Sequence, residues 1–254
     1  MDTSAVISRL RAAGCVFAED EAALLVDAAK TATELESLVA RRVAGLPLEH
    51  LLGWAEFHGL RVRVRPGVFV PRRRTGFLVD VAVSLAPPDP VVLDLCCGSG
   101  ALGAAFTAAK RPRELYAADV EAAAVACARL NLPDAAVHQG DLYDALPSSL
   151  RGRVDVLLAN VPYVPSGAVA TMPPEARLHE PRVALDGGSD GLDLARRVAA
   201  GAPGWLAPGG TVLVESSERQ APLLAEIFTA AGLAPRVHES DELGATVVTG
   251  TAKP

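Results

Sequence analysis

Apolar residues recur at helical spacing over the first 45 or so positions of the chain. "DTSAVISRLRAAG" opens on cap-type residues and stops at Gly14. "EDEAALLVDAAK" and "TELESLVARRVAG" repeat the pattern, with Gly45 as a C-terminal stop. The period then changes from 3.6 to 2. Leu60, Val62 and Val64 alternate with Arg61, Arg63 and Arg65, which predicts a short hairpin region, and "TGFLVDVAVSLA" predicts a helix after it.

"PPDP" at 87–90 punctuates the chain, and a strand–helix rhythm follows. The predicted strands are "VVLDL", "ELYAAD", "AAVHQGD", "VDVLLAN" and "GTVLVES". Helices are predicted over "GALGAAFTAAK", "EAAAVACARLN", 191–201 and "RQAPLLAEIFTAAG". Such alternation implies an α/β fold with a doubly wound parallel sheet. The last two strands, "APRVHES" and "GATVVTG", stand too close for a crossover, so that pair is antiparallel.

Composition narrows the function classes. The 254 residues suit one large α/β domain with a small appendage, or two modest domains. Hydrophobic residues make up 50% but aromatics only 4%, so Ala, Val and Leu build the core. The net charge of −6 argues against a whole-protein nucleic-acid binder. Cys15, Cys96, Cys97 and Cys127 form no C-x-x-C pair, and the five histidines are scattered. That pattern predicts neither a metal site nor a disulfide framework. The N-terminus has no apolar leader segment, and no run reaches membrane-spanning length. A soluble cytoplasmic protein is expected.

The first candidate chemistry is the turn "VLDLCCGSGALG", which ends one predicted strand and opens a helix. Gly98 and Gly100 bring backbone close to a ligand, and the helix start offers unpaired N–H groups. Taken literally, Gly98-x-Gly100-x-x-Gly103 with Asp119 downstream is a dinucleotide fingerprint, which keeps a nicotinamide cofactor open. The aspartates favour S-adenosylmethionine. Asp94, inside the strand end, would repel a pyrophosphate but can hold ammonium or water around a methionine moiety. Asp119 ends the second strand and can accept ribose hydroxyls, as it would under either reading. Asp141 follows the third strand, where it can take an adenine amino group while Leu142 covers the ring. Each aspartate alone fits an ordinary surface or capping role; their place at three successive strand ends raises the odds.

The second candidate is "ANVPYVPSG" at 159–167. Turn propensity accounts for its asparagine and prolines but leaves Tyr163 without a reason. A planar amide nitrogen is a poor nucleophile because its lone pair is delocalised. Methylating one requires two fixed acceptors for its N–H bonds. The Asn160 side-chain oxygen can be one, and the Val161 carbonyl, held by Pro162, the other. Tyr163 can pack flat on the planar group. Placement and fixed dipoles would then carry most of the catalysis.

On these residues the chain resembles a known family. "NVPY" is similar to the Asn-Pro-Pro-Tyr motif of amino methyltransferases, which DNA and RNA adenine-N6 enzymes share. "EPRVALDGGSDGLD" at 180–193 and "AGLPLEHLLGWAEFHGLRVRVRPGVFVPR" at 44–72 resemble segments of the release-factor glutamine N5-methyltransferases, which is more specific. The resemblance implies a helical substrate-recognition domain (1–50), a hairpin linker (51–75) and a seven-stranded catalytic domain (76–254) with a Rossmann-like methyltransferase sheet. It implies methyl transfer from S-adenosylmethionine, leaving S-adenosylhomocysteine, to a protein glutamine, in the best-known cases on a peptide-chain release factor. Carried over, the cofactor turn is Cys96, Cys97, Gly98, Ser99 and Gly100. Asp119 is the ribose acid, Leu142 the adenine neighbour, and Asn160, Val161, Pro162 and Tyr163 hold the glutamine. A monomer without metal or nucleic acid is expected.

Three positions depart from the family pattern. Cys96 stands where the first motif glycine is usual, Val161 replaces a proline, and Gly76 replaces an acid after Thr75. These leave the protein substrate open. A nucleic-acid amino methyltransferase, an NAD-dependent oxidoreductase and a non-catalytic cofactor-binding module are the alternatives. The window "RVRVRPGVFVPRRR" at 61–74 holds six arginines and no acid. It reads as a solvated hairpin face, with a docking patch for an acidic protein or RNA as the other view.

Overall fold

The computed structural model describes residues 2–254. Four helices come first: α1 (Thr3–Ala12), α2 (Ala18–Ala28), α3 (Ala32–Val43) and α4 (Leu48–Leu52). Their apolar faces meet in one cluster around Val6, Leu10, Leu25, Leu35 and Val39. The start of α3 is fixed by its own side chains. The Thr31 hydroxyl accepts from the Glu34 N–H (3.1 Å) and the Glu34 carboxylate accepts from the Lys30 N–H (2.8 Å), close to a capping box. The strands β1 (Trp54–Phe57) and β2 (Leu60–Arg63) form the hairpin that residue alternation predicts.

The arginine-rich window is largely solvated, with Arg61, Arg63, Arg65, Arg73 and Arg74 exposed and Arg72 half-buried, yet three of its arginines have partners. Arg61 lies over the Trp54 ring at 4.3 Å, Arg72 pairs with the buried Glu180, and Arg74 pairs with the buried Glu215.

The rest of the chain runs α5 (Gly76–Leu85), β3 (Val91–Leu95), α6 (Ala101–Ala109), β4 (Glu114–Asp119), α7 (Ala122–Asn131), β5 (Ala136–Gln139) and β6 (Val154–Ala159). It continues as α8 (Pro174–His179), α9 (Asp193–Gly201), β7 (Leu206–Ser216), α10 (Ala221–Ala230), β8 (Ala234–Ser240) and β9 (Ala245–Thr251). The seven strands order as β5-β4-β3-β6-β7-β9-β8. The first five pair in parallel; β9 runs antiparallel to both β7 and β8. This is the expected mostly parallel sheet with an antiparallel end. β7 is longer than the expected "GTVLVES" segment. Its Pro208-Gly209-Gly210 reads as a turn, but a register shift against β6 between Val154 and Val156 absorbs it.

Both faces of the sheet are covered. Leu93, Leu95, Leu157, Val212 and Val214 pack on the side of α9 and α10. Val92, Val156, Leu158 and Leu213 pack on the side of α5 and α6, together with Phe57 and Val62 of the hairpin. Burial on both faces is why these strands read as unbroken apolar runs. Leu157 is fully buried in the central β6. Replacing Leu157 by Ala should lower stability by about 2–5 kcal/mol. In urea denaturation the midpoint should fall with an unchanged slope; a loss below about 1 kcal/mol would contradict the packing described.

Candidate active site

The strand order reverses between the parallel neighbours β3 and β6, the switch point at which α/β sheets place ligands. Leu95 pairs with Ala159 in register. The loops leaving those residues, Cys96–Gly100 and Asn160–Val164, therefore emerge side by side. Between them lies a cavity of about 340 Å³. Cys96, Cys97, Gly98, Ser99, Asp119, Asp141, Leu142, Asn160, Val161, Pro162 and Tyr163 all line it. Two expected cofactor residues, Asp94 and Gly100, do not.

Gly100 is required by the loop itself. Its φ is +78°, and a Cβ there would come within 2.9 Å of the Leu132 side chain. Gly98, at φ +54°, lies in the cavity wall, and a Cβ there would meet no atom within 4 Å. Cys96 has φ +55°, a left-handed conformation that explains why glycine is usual in the resembling family. Holding a cysteine there costs on the order of 1–2 kcal/mol. The loop is anchored by the Cys97 N–H to the Ala118 carbonyl (3.1 Å) and by the Asn131 amide to the Ser99 carbonyl (2.8 Å). Asn131 also accepts from the Arg63 N–H, so one side chain joins the hairpin to the glycine loop.

The aspartates divide. Asp119 accepts from the Gly98 N–H and the Glu121 N–H, both at 2.9 Å, and burial raises its pKa. Asp141 is exposed at the rim and paired with Arg197 of α9 at 2.8 Å. Leu142 is buried, with a strained φ of +48°. Asp94 is fully buried beneath the loop, where Oδ2 accepts from the Gly103 N–H (3.0 Å) and Oδ1 has no partner among the described residues. Asp94, expected beside the methionine moiety, alternates with Leu93 and Leu95 and points, like Val92, toward the α6 side.

The asparagine turn is held from three sides. Val161 is buried in the main core cluster. The Gly187 N–H donates to the Val164 carbonyl (2.8 Å) and the Ser166 N–H to the Gly188 carbonyl (2.8 Å), so "DGGSDG" backs the turn. Gln220 donates to the carbonyls of Tyr163 and Asp190, both at 3.0 Å. The half-buried Asn160 amide has no hydrogen-bond partner among the described residues and faces the cavity. The Tyr163 hydroxyl accepts from Arg74 and donates to Glu215 (3.2 Å), which also accepts from Arg74 Nε (3.2 Å). Burial, then the Glu215 charge, raises the Tyr163 pKa.

Sequence reasoning missed Arg74, Glu215, Gln220, Glu180 and Arg197. Glu180 carried a signal in the "EPRV" segment. It is buried and binds Arg72 (2.6 Å) and the Val70 N–H (3.2 Å), fastening the linker to the wall of the cavity. Glu215 carried one too, as a lone acid ending an apolar strand.

Residues 59–236 match the family model described as Methyltransferase small domain. The chain is 39% identical over 198 residues to the release factor glutamine methyltransferase of Streptomyces coelicolor, covering 76% of this chain and 70% of that protein. It is 35% identical over 217 residues to the protein of that name from Geobacter sulfurreducens, covering 84% and 75%. Among solved structures it resembles the ribosomal protein L11 methylase of Lactobacillus delbrueckii subsp. bulgaricus (TM-score 0.55, 15% identity, 76% of this chain and 86% of that one). It also resembles the T. thermophilus 16S rRNA N2 G1207 methyltransferase in complex with AdoMet and guanosine (TM-score 0.57, 22% identity, 79% and 50%). At these identities the structures show the fold.

Two outcomes test this geometry. A Cβ at Gly187 would lie 2.6 Å from the Pro162 carbonyl oxygen and 2.7 Å from that of Gly191. Gly187→Ala should therefore destabilise the protein by roughly 1–3 kcal/mol, read from thermal unfolding; a variant as stable as wild type contradicts the packing. Burial raises the Asp94 pKa from 3.8 to about 7. The folded state then binds the extra proton, so this group's stabilisation is full below the unfolded pKa and is lost as pH rises through about 7. In urea titrations of the ligand-free protein, Asp94→Asn should flatten the decline in stability from pH 4 to about 7. Parallel profiles for the two proteins would refute the assignment.

Proposed function

The chain belongs to the release factor glutamine methyltransferase family, and we propose that it transfers the methyl group of S-adenosylmethionine to the side-chain amide nitrogen of a protein glutamine, with a peptide-chain release factor as acceptor. The names of its relatives support that acceptor. The observation that carries the chemistry is the cavity wall that the Cys96–Gly100 loop and the Asn160–Tyr163 turn share.

The residues present fit the cofactor. Gly98 leaves open space where a side chain would stand, Asp119 sits beside it at the end of β4, and Leu142 offers a buried apolar surface next to Asp141. When bound, S-adenosylmethionine supplies an electrophilic methyl group on a positive sulfur. Asp119 would hold the ribose, Leu142 would cover the adenine, and Cys96–Ser99 would form the backbone wall.

The acceptor amide would be held by the turn. The Asn160 side-chain oxygen and the Val161 carbonyl accept its two N–H bonds, which fixes the plane and aims the nitrogen. Tyr163 packs on that plane, and its ring is immobilised through the hydroxyl by Arg74 and Glu215. No strong base is required before transfer: the nitrogen–methyl bond would form as the methyl–sulfur bond breaks, S-adenosylhomocysteine would leave, and the proton then shed by the nitrogen would pass to water. Positioning reduces the entropic part of the barrier. Residues 1–50 would form the substrate-recognition part, 51–75 the linker and 76–254 the catalytic part of a monomer acting in the cytoplasm without a metal. No helix among the described residues is long and apolar enough to cross a membrane.

Asn160→Ala should reduce turnover about 10²–10³-fold, as does loss of one oriented polar group elsewhere, while S-adenosylmethionine binding weakens only modestly. Methyl transfer from labelled cofactor, with mass spectrometry locating the modified residue, is the measurement. Near-normal turnover of the variant, or label on an adenine instead of a glutamine, would sink the proposal.

A further inference from the structure

Beyond Tyr163 the acceptor site adjoins a second cleft. Arg74 and Tyr163 line both it and the first cavity, so the two are neighbours across the tyrosine ring. The cleft measures about 470 Å³ and is walled by the end of β7, the turn after it and the β8–β9 hairpin. Its lining is polar and acidic. Glu215, Glu218, Glu239 and Asp241 contribute carboxylates, serine and threonine hydroxyls fill the remaining polar positions, and Arg74 is the single cation.

The carboxylates are not equivalent. Glu218, Glu239 and Asp241 are exposed, and none has an ion-pair partner among the described residues. Glu215 forms the buried end, at 3% exposure. Its Oε1 serves Arg74 and Tyr163, whereas its Oε2 has no hydrogen-bond partner among the described residues. A buried carboxylate oxygen without a donor is costly, and the strongest group that relieves it is a charged N–H donor. Three further uncompensated carboxylates on one concave surface focus a negative potential at the same place. Among the described residues no three or more acids, histidines or cysteines converge closely enough to hold a metal ion. The donor that fits is a side chain.

We propose that this cleft is the subsite for a cationic side chain, arginine or lysine, of the protein acceptor close to the methylated glutamine. The inference rests on the protein-acceptor reading above and adds the chemistry of a flanking residue. The acceptor chain crosses Tyr163, with the glutamine on the cofactor side and the cation on the acidic side. The contact supplies Glu215 with its missing donor and fixes which stretch of polypeptide presents its glutamine.

The test uses the full chain with S-adenosylhomocysteine and two fluorescein-labelled peptides. One carries a central glutamine flanked by arginines; its twin carries the neutral isostere citrulline in their place. Fluorescence anisotropy should show the arginine peptide binding about tenfold more tightly at low ionic strength, the advantage shrinking with added salt. The double substitution Glu239→Lys with Asp241→Lys should abolish that preference. Both side chains are exposed, so folding is not at stake, and circular dichroism checks it. Equal binding of the two peptides, or a preference retained in the double variant, overturns the subsite. Mass spectrometry of the same peptides after incubation with S-adenosylmethionine reports separately on the glutamine. Methylation without an arginine preference removes the subsite and leaves the activity; an arginine preference with the methyl group on another residue does the reverse.

Discussion

The parallel pairing of β3 with β6 is the constraint on which the site depends. Both strands are buried on both faces, and a one-residue slip of β3 would turn the buried Asp94 away from its Gly103 donor and into the apolar layer of Leu93 and Leu95. With Leu95 held opposite Ala159, the next residue of each strand must leave the sheet at the same edge. One exit is Cys96 and the other is Asn160. The two loops that line the cavity are thereby set next to each other before any side chain in either has been chosen.

What that pairing positions, three distant segments make rigid. The linker near Val70 and Arg72 is fastened by Glu180, the turn is backed by Gly187 and Gly188, and Gln220 ties Tyr163 to Asp190. Rigidity of the turn therefore does not rest on proline alone. Val161 is buried in the core, and the Val164 backbone is bonded on both sides by Leu185 and Gly187. The change from the proline usual in the family removes one constraint among several and keeps the carbonyl that the proposed reaction needs. The cost falls elsewhere, on glycines that no larger residue can replace.

The sequence made local order legible and left long-range partners hidden. Strand limits such as Val91–Leu95 and Glu114–Asp119 coincide with the expected segments: the first is a short, fully buried and mostly apolar run, and the second is bounded by its acids Glu114 and Asp119. The Asn160–Tyr163 turn was visible for the same local reason. The side that Asp94 takes follows from parity rather than from its place at a strand end: it alternates with Leu93 and Leu95 and meets the Gly103 N–H on the α6 face. Arg74 and Glu215 lie 141 residues apart, and nothing in the run "PRRRTG" distinguishes an arginine that meets a buried acid from one that meets water. Tyr163, whose presence propensity left unexplained, is accounted for by that pair.

The glycine pattern shows why a motif alone could not choose the chemistry. Gly98-x-Gly100-x-x-Gly103 encodes a loop: Gly98 takes a left-handed turn, Gly100 clears Leu132, and Gly103 lets α6 approach Asp94. All three requirements arise between β3, α6 and α7, and a nicotinamide site and an S-adenosylmethionine site share them. The discriminating residues lie across the sheet edge, after β6. There the cavity presents an unengaged amide at Asn160 and an aromatic ring whose hydroxyl is held between an arginine and a carboxylate. Burial raises the pKa of that hydroxyl, which keeps it protonated and unsuited to act as a base. In the proposed reaction the Asn160 amide, and a ring held through its hydroxyl, would orient a neutral planar nitrogen, and orientation is what transfer to an amide requires.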